Sequence, residues 1–166
     1  PATTYLNHGS FGAVPRRVTA AQLAIRERCE ANPNRFFRTD LPTLLDDARA
    51  ASAARVGVTA DRFAFVPNAS QGVIAATAAL LPSGRPTIAT ADANYGGVVL
   101  GLRELARRRG ATLRAFPTPA PEHATPEAWS DAVLEGARGA DVLVVDQIVA
   151  TTAQCNPVER LVPEDR

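Results

Sequence analysis

Asp141-Val142-Leu143-Val144-Val145-Asp146 sets four consecutive branched apolar residues between two carboxylates. A run this short and this rich in β-branched residues reads as a strand. Apolar side chains pointing to both of its faces predict burial on both sides, as in a parallel sheet. Upstream, Thr125-Pro126-Glu127 opens a helix with a hydroxyl N-cap, proline in the first turn and an early acid, and that helix runs to about Arg138. Residues 113–116 form the preceding strand, and a helix over about 96–109 presents Val98, Leu102, Leu105 and Ala106. Before it, 87–90 is a strand, 70–81 a helix with Val73, Ile74, Thr77 and Leu80 or Leu81 inward, and 63–66 a buried strand. The order βαβαβαβ predicts an α/β protein: an open, mostly parallel sheet with helices on both faces. Such sheets bind ligands beyond the carboxyl ends of their strands, so the loops after Val66, Thr90, Phe116 and Val145 are the ones to inspect.

The first third of the chain has a different texture. Residues 1–16 carry Gly9, Gly12 and Pro15 among polar residues and read as an irregular arm. Val18, Ala21, Ile25 and Cys29 recur at helical spacing over 17–31, and Asn32-Pro33-Asn34 stops that helix. A second helix over about 41–56 has the stripe Leu41, Leu44, Leu45, Ala48 and Ala51 with Asp46, Asp47 and Arg49 opposite, as expected for one buried face, and ends near Gly57. The division is therefore an arm with two helices at 1–56 and an α/β domain at 57–166. After Pro157-Val158 no closing element follows, so that domain is expected to be partial and to lack its C-terminal part.

At 166 residues, with 46% hydrophobic and 21% charged residues, the chain fits an ordinary globular core rather than a disulfide-stapled miniprotein or a disordered segment. Its apolar stretches are too short to cross a bilayer. The net charge of +1 gives no electrostatic case for nucleic acid or an anionic membrane. All 18 Lys+Arg residues are arginine, so there is no lysine. Every mechanism that needs an internal lysine amine is closed to this chain alone. Cys29 and Cys155 lie far apart without metal-like spacing, which suggests a reducing compartment and no metal site. The beginning Pro1-Ala2-Thr3-Thr4 has no secretory pattern, and a cytoplasmic location is expected.

Four segments hold candidate chemistry. Pro67-Asn68-Ala69-Ser70-Gln71-Gly72 lies between strand and helix, where small residues and free amides suit an anion such as phosphate, although an ordinary capped turn has the same pattern. Asp92-Ala93-Asn94-Tyr95-Gly96-Gly97 offers an aromatic beside two glycines, able to stack on a flat ring or simply to cover a core edge. Asp146-Gln147-Ile148-Val149-Ala150-Thr151-Thr152 is a polar run after the most apolar strand, either a ligand contact or a solvated loop. Asn7-His8-Gly9-Ser10-Phe11-Gly12 has the look of an oxyanion-type glycine loop. A serine hydrolase does not fit, because there is no nucleophile elbow and the other histidine, His123, lies in a proline-rich loop. Nothing in the spacing supports Cys155 as a nucleophile with His8.

In this order the segments resemble one family. Tyr5-Leu6-Asn7-His8-Gly9-Ser10-Phe11-Gly12-Ala13-Val14-Pro15, Asn32-Pro33 with Phe36-Phe37-Arg38, Phe65-Val66-Pro67-Asn68-Ala69-Ser70-Gln71-Gly72-Val73, Asn94-Tyr95-Gly96-Gly97, and Asp146-Gln147-Ile148 with Pro157-Val158 are similar to class V aminotransferase-fold pyridoxal-phosphate enzymes, in the isopenicillin N epimerase-like branch. The resemblance covers essentially the whole chain. It implies a partial large domain of a fold-type I enzyme. It also implies pyridoxal 5'-phosphate as cofactor, its phosphate at Asn68, Ala69, Ser70 and Gln71, its ring stacked by Tyr95, and Gln147 and Ala150 in the loop under the ring. Asn7, His8 and Ser10 line the substrate side. The sequence departs from the family at position 147, usually histidine, and at position 150, usually serine or asparagine, where alanine makes no bond to the cofactor hydroxyl.

Members of the family run to more than twice this length, and by the resemblance the remaining part holds the Schiff-base lysine, the aspartate that pairs with the pyridine nitrogen, and the small domain. No catalytic residue is therefore expected in this chain alone. Three readings stay open. One is the N-terminal-half subunit of a split enzyme acting on an amino-acid-like substrate, with a second polypeptide supplying lysine and aspartate, expected as a dimer of heterodimers. The second is a degenerate scaffold or regulatory protein, and the third a fragment of a longer enzyme. Arg35 and Arg38 could meet a substrate carboxylate or simply be solvated. The reaction type is not legible.

Overall fold

The computed structural model describes residues 3–6, 8 and 11–162. The chain divides into two compact units, Pro1–Phe65 and Val66–Arg166.

In the first unit, helix α1 (Arg16–Ala31) has no buried residue. Its predicted stripe is not an interior face: Val18 and Ile25 are exposed and Cys29 is half-buried, because little of the unit lies against α1. Asn32 does break the helix, and it also starts the next one. Its Oδ1 accepts the Arg35 N–H at 3.0 Å ahead of Pro33 at the first helical position of α2 (Pro33–Arg35). The chain then runs through a π-helical stretch, Phe36–Asp40, into α3 (Leu41–Arg55). The widened turn buries Phe36, while Asp40 pairs with Arg28 at 3.1 Å. The stripe expected on α3 is only partly covered. Leu41 and Leu44 are half-buried, Leu45, Ala48 and Ala51 are exposed, and Ala53 alone is fully buried.

The strand predicted at 63–66 is absent. Phe63 has extended backbone, φ −124° and ψ 133°, and its ring packs edge-on to Phe65 at 5.2 Å, but the segment has no ladder partner among the described residues. Strand sequence does not make a strand without a neighbour to receive its N–H and C=O groups.

The second unit is a three-stranded parallel sheet of order β2-β1-β3, with β1 Thr87–Ala91, β2 Thr112–Phe116 and β3 Val142–Val144. The register sets Thr87 opposite Thr112, and Ile88 opposite both Leu113 and Val142. The alternation of β1 sends Ile88 and Thr90 to one face and Ala89 and Ala91 to the other. On the first face lie α4 (Ala69–Leu80) and α5 (Gly96–Arg109), whose Val98, Leu102, Leu105 and Ala106 are buried against Ile88 as their spacing predicts. Gly110, at φ +63°, closes α5 in the left-handed conformation. On the second face α6 (Pro126–Gly136) packs Trp129 and Val133 on Ala89, Ala91 and Phe116. The predicted alternation and the helices on both faces thus hold, with three strands instead of four.

Two boundaries are corrected. Helix α6 stops at Gly136 rather than Arg138, and β3 is three residues long and half-buried instead of buried on both faces. The reason is position: β3 pairs with β1 alone and lies at the edge of the sheet. No helix of the described residues is long and apolar enough to cross a membrane.

Candidate functional site

The carboxyl ends of β1 and β3 and the start of α4 gather the residues singled out above. Asn68 is the N-cap of α4, its Oδ1 accepting the Gln71 N–H at 2.9 Å while its carbonyl accepts the Gly72 N–H at 3.1 Å. Two amides of the first turn, Ala69 and Ser70, and the Ser70 hydroxyl meet no acceptor among the described residues. They form a donor set at the positive end of a 12-residue helix. Ala69 and Gln71 are exposed and Ser70 half-buried, so the turn is accessible.

Tyr95 immediately precedes α5 and is 54% exposed. A Cβ on Gly97 would fall 2.7 Å from Tyr95 Cε1, so glycine there is what lets the ring lie back over the helix start. The amide of Tyr95 donates to Asp146 Oδ2 at 2.7 Å, so a carboxylate from the end of β3 caps α5 in place of a local side chain. Asp146 Oδ1 has no partner among the described residues. Asp92, the other carboxylate at these strand ends, is committed through Oδ1 to the amide and hydroxyl of Thr118, at 3.1 and 3.0 Å.

Asn94, 8% exposed, ties the two strand ends together. Its Nδ2 donates to Thr90 Oγ1 at 2.9 Å and to the Val144 carbonyl at 2.8 Å, and its Oδ1 accepts the Asp146 N–H at 3.0 Å. The sequence places Asn94 beside Tyr95 but gives no sign of this three-way tie, which depends on contacts some fifty positions apart.

The loop after β3 folds back on itself. Ile148 and Cys155 form an antiparallel bridge, Val149 N–H donates to Gln154 O at 2.9 Å, and Ala153 takes φ +57° to close the turn. Asn156, 5% exposed, anchors the loop: its N–H donates to Gln147 O at 2.7 Å, its Nδ2 to the Asp146 carbonyl at 2.8 Å, and its Oδ1 accepts from Gln154 Nε2 at 2.8 Å. Gln147 and Ala150 stay exposed. A cavity of about 250 Å³ opens beside this loop, bordered by Asp92, Asn94, Thr118, Trp129, Gln154 and Asn156. Asn94, Asp146 and Asn156 are the residues that reading along the sequence missed as parts of one arrangement.

Of the arm residues, His8 belongs to the first unit and is exposed, its Nδ1 accepting the Ala13 N–H at 3.3 Å and its ring edge-on to Tyr5. The Tyr5 hydroxyl donates to the Phe11 carbonyl. Asn7 and Ser10, also expected on the substrate side, lie outside the described residues.

The chain carries the class V aminotransferase fold of pyridoxal-phosphate enzymes, and within it the N-terminal part. No family model matches the sequence. Over its whole length the chain is similar to the isopenicillin N epimerase of Amycolatopsis lactamdurans, at 31% identity over 173 residues, and to that of Streptomyces clavuligerus, at 27% over 166. It spans 42% of the length of each of these relatives. Among solved structures, a complex of the cystine C–S lyase C-DES with its product cysteine persulfide superposes with a TM-score of 0.79 at 18% identity, and a C-DES mutant with glycine covalently linked to its PLP cofactor with 0.78 at 20%. Each match covers 93% of this chain, and 41% and 40% of the respective C-DES chains.

Proposed function

We propose that this chain is the cofactor-binding N-terminal half of a pyridoxal-phosphate-dependent enzyme for an amino-acid-like substrate, completed by a second polypeptide that supplies the lysine. The observation that carries this reading is the open start of α4, capped by Asn68, where the Ala69 and Ser70 amides meet no acceptor among the described residues, beside the exposed ring of Tyr95 at the start of α5. The donor set fits the cofactor's chemistry. The free amides of Ala69 and Ser70, with the Ser70 hydroxyl, suit a phosphate dianion, and Asn68 and Gln71 complete that turn. Tyr95, half-exposed at the start of α5, offers a face to a flat ring.

When bound, pyridoxal phosphate supplies an electron sink for the carbanion formed next to an amino group. The chain's own residues hold and orient. Ala69 and Ser70 would bind the phosphate, and Tyr95 would cover one face of the ring. Gln147 sits in the loop beside it, and Ala150 leaves the cofactor hydroxyl without a partner. The second polypeptide brings the lysine and the aspartate that pairs with the pyridine nitrogen. Asn7, His8 and Ser10 serve the substrate side, and a cytoplasmic dimer of heterodimers is the assembly we infer. With no lysine in the sequence, this chain itself offers no side-chain amine for a Schiff base. Gln147 and Ala150 favour a second reading, a non-catalytic scaffold that retains the fold. A chain spanning 42% of its relatives also suits a third, a piece of a longer enzyme.

Equilibrium titration of the full chain with pyridoxal 5'-phosphate, followed by fluorescence, tests the reading. Saturable binding that Ser70→Ala weakens several-fold is the expected result. Binding unaffected by Ser70→Ala, or no binding in the presence of every co-expressed neighbour, contradicts it and leaves the scaffold.

A further inference from the structure

We infer that the cavity on the α6 face of the sheet is a binding site for a small organic ammonium ion, separate from the residues that the function proposed above assigns to a cofactor. Its walls come from the carboxyl ends of all three strands: Asp92 and Asn94 follow β1, Thr118 follows β2, and Gln154 and Asn156 belong to the loop after β3. That end of an open α/β sheet is where such folds take ligands. Trp129 of α6 closes one side. The turn at 68–71 and Tyr95 open α4 and α5, which pack on the opposite face, and none of these residues borders the cavity.

The space is small and its floor is set by folding. At about 250 Å³ it holds far more than one water, whose share of the liquid is about 30 Å³, and it stands just under the usual range of ligand pockets, about 300–1,000 Å³. A molecule of amino-acid size suits it. Trp129, Asn94 and Asn156 are more than nine-tenths buried, and both asparagines spend their side-chain amides on partners within the chain. Walls held in this way lose little freedom when a ligand enters.

Charge decides the class of ligand. Among the described residues that border the cavity, Asp92 alone is charged. Thr118 fixes its carboxylate by donating an amide and a hydroxyl to Oδ1 at 3.1 and 3.0 Å, while Oδ2 meets no donor among the described residues. Gln154 gives its Nε2 to Asn156 at 2.8 Å, which leaves its Oε1 as a second acceptor. An ammonium group brings one positive charge and three donors to such a set. A carboxylate or phosphate would meet a negative charge with no arginine in the wall to offset it. A metal ion would find a single carboxylate, and the described residues hold no group of three or more histidine, cysteine or acidic ligands. Trp129, Pro119 and Pro121 supply apolar wall for the carbon body of the ligand.

Trp129 is the one tryptophan of the sequence, so its fluorescence and its indole N–H resonance report occupancy of this cavity. The test titrates the full chain, with no pyridoxal phosphate added, with n-propylammonium, 1-propanol and propionate, three probes of one size that are positive, neutral and negative. Saturable binding of propylammonium is expected, with the other two at least tenfold weaker. Asp92→Asn, which keeps an oxygen for the two Thr118 donors, should weaken propylammonium about tenfold. Ala120→Leu, at an exposed position on the border, narrows the cavity without touching Asp92 and should weaken it as well. Propylammonium that fails to saturate, that binds no better than propanol or propionate, or that binds folded Asp92→Asn like the parent overturns the inference. If Asp92→Asn does not fold, unchanged binding by Ala120→Leu overturns it instead. Because the cofactor is absent from the titration, each of these results leaves the proposed function standing.

Discussion

At the scale of single residues, the chain shows how close packing aims a side chain that is otherwise free. Tyr95 is exposed, and what directs its ring is the missing Cβ of Gly97. Gly97→Ala should leave the fold intact, since alanine suits a first helical turn better than glycine, while displacing the ring. The loss expected is the worth of one aromatic contact, about two- to tenfold in pyridoxal-phosphate affinity, read by fluorescence titration. An unchanged affinity would remove Tyr95 from the ring-binding role. The two helix starts at 68–72 and 95–97 could be picked out of the sequence because their chemistry is local, although the cap of α4 is Asn68 and not the Ser70 hydroxyl. The roles of Asn94, Asp146 and Asn156 could not, because each depends on partners brought together only by strand pairing. Asp146 stood in plain view at the end of the most apolar run, yet nothing in that run says that its carboxylate turns toward the start of α5.

At the scale of elements, helices were legible and strands only in part. The pattern of α5 was correct to the residue because its buried positions meet a sheet within the same unit. The stripes of α1 and α3 are just as periodic, but too little of the first unit lies against them to bury them. Periodicity reports which face seeks cover, not whether cover is present. The segment 63–66 failed for the same reason, its strand character having no partner to express it.

Two element-scale predictions follow from local bonds. Asn68→Ala removes the cap of α4 and should cost about 1 kcal/mol, measured as a lowered unfolding midpoint in urea. Hydrogen bonds from Arg107 and Arg108 hold the Glu104 carboxyl at about 2, below its ordinary 4.5. A carboxyl lowered in the folded state contributes stability that is fully present above 4.5 and is lost as the pH falls through about 2. The melting temperature of Glu104→Gln should therefore lie slightly below that of the parent at neutral pH and meet it near pH 2, and a gap that persists in acid would show that the ion pairs are not its source.

At the scale of the whole molecule, the α/β unit has a core on each face of one small sheet. Leu102 is fully buried against Ile88, and Leu102→Ala should destabilise by about 2–5 kcal/mol in denaturant unfolding. A loss under about 1 kcal/mol would mean that this face is not the cooperative core. Against that core stand apolar residues left open, among them Leu23, Phe65, Val66 and Ile148, at 42% of the length of the relatives it matches. The sequence has no lysine to form a Schiff base with the cofactor proposed for it. The most direct test is borohydride reduction of the pyridoxal-phosphate-loaded complex of this chain with its co-purifying neighbour, followed by mass spectrometry of both polypeptides. The account predicts one reduced cofactor adduct on a lysine of the neighbour and none on a side chain of this one. A reducible band with no adduct on the neighbour, or a complex that binds no cofactor, would contradict it.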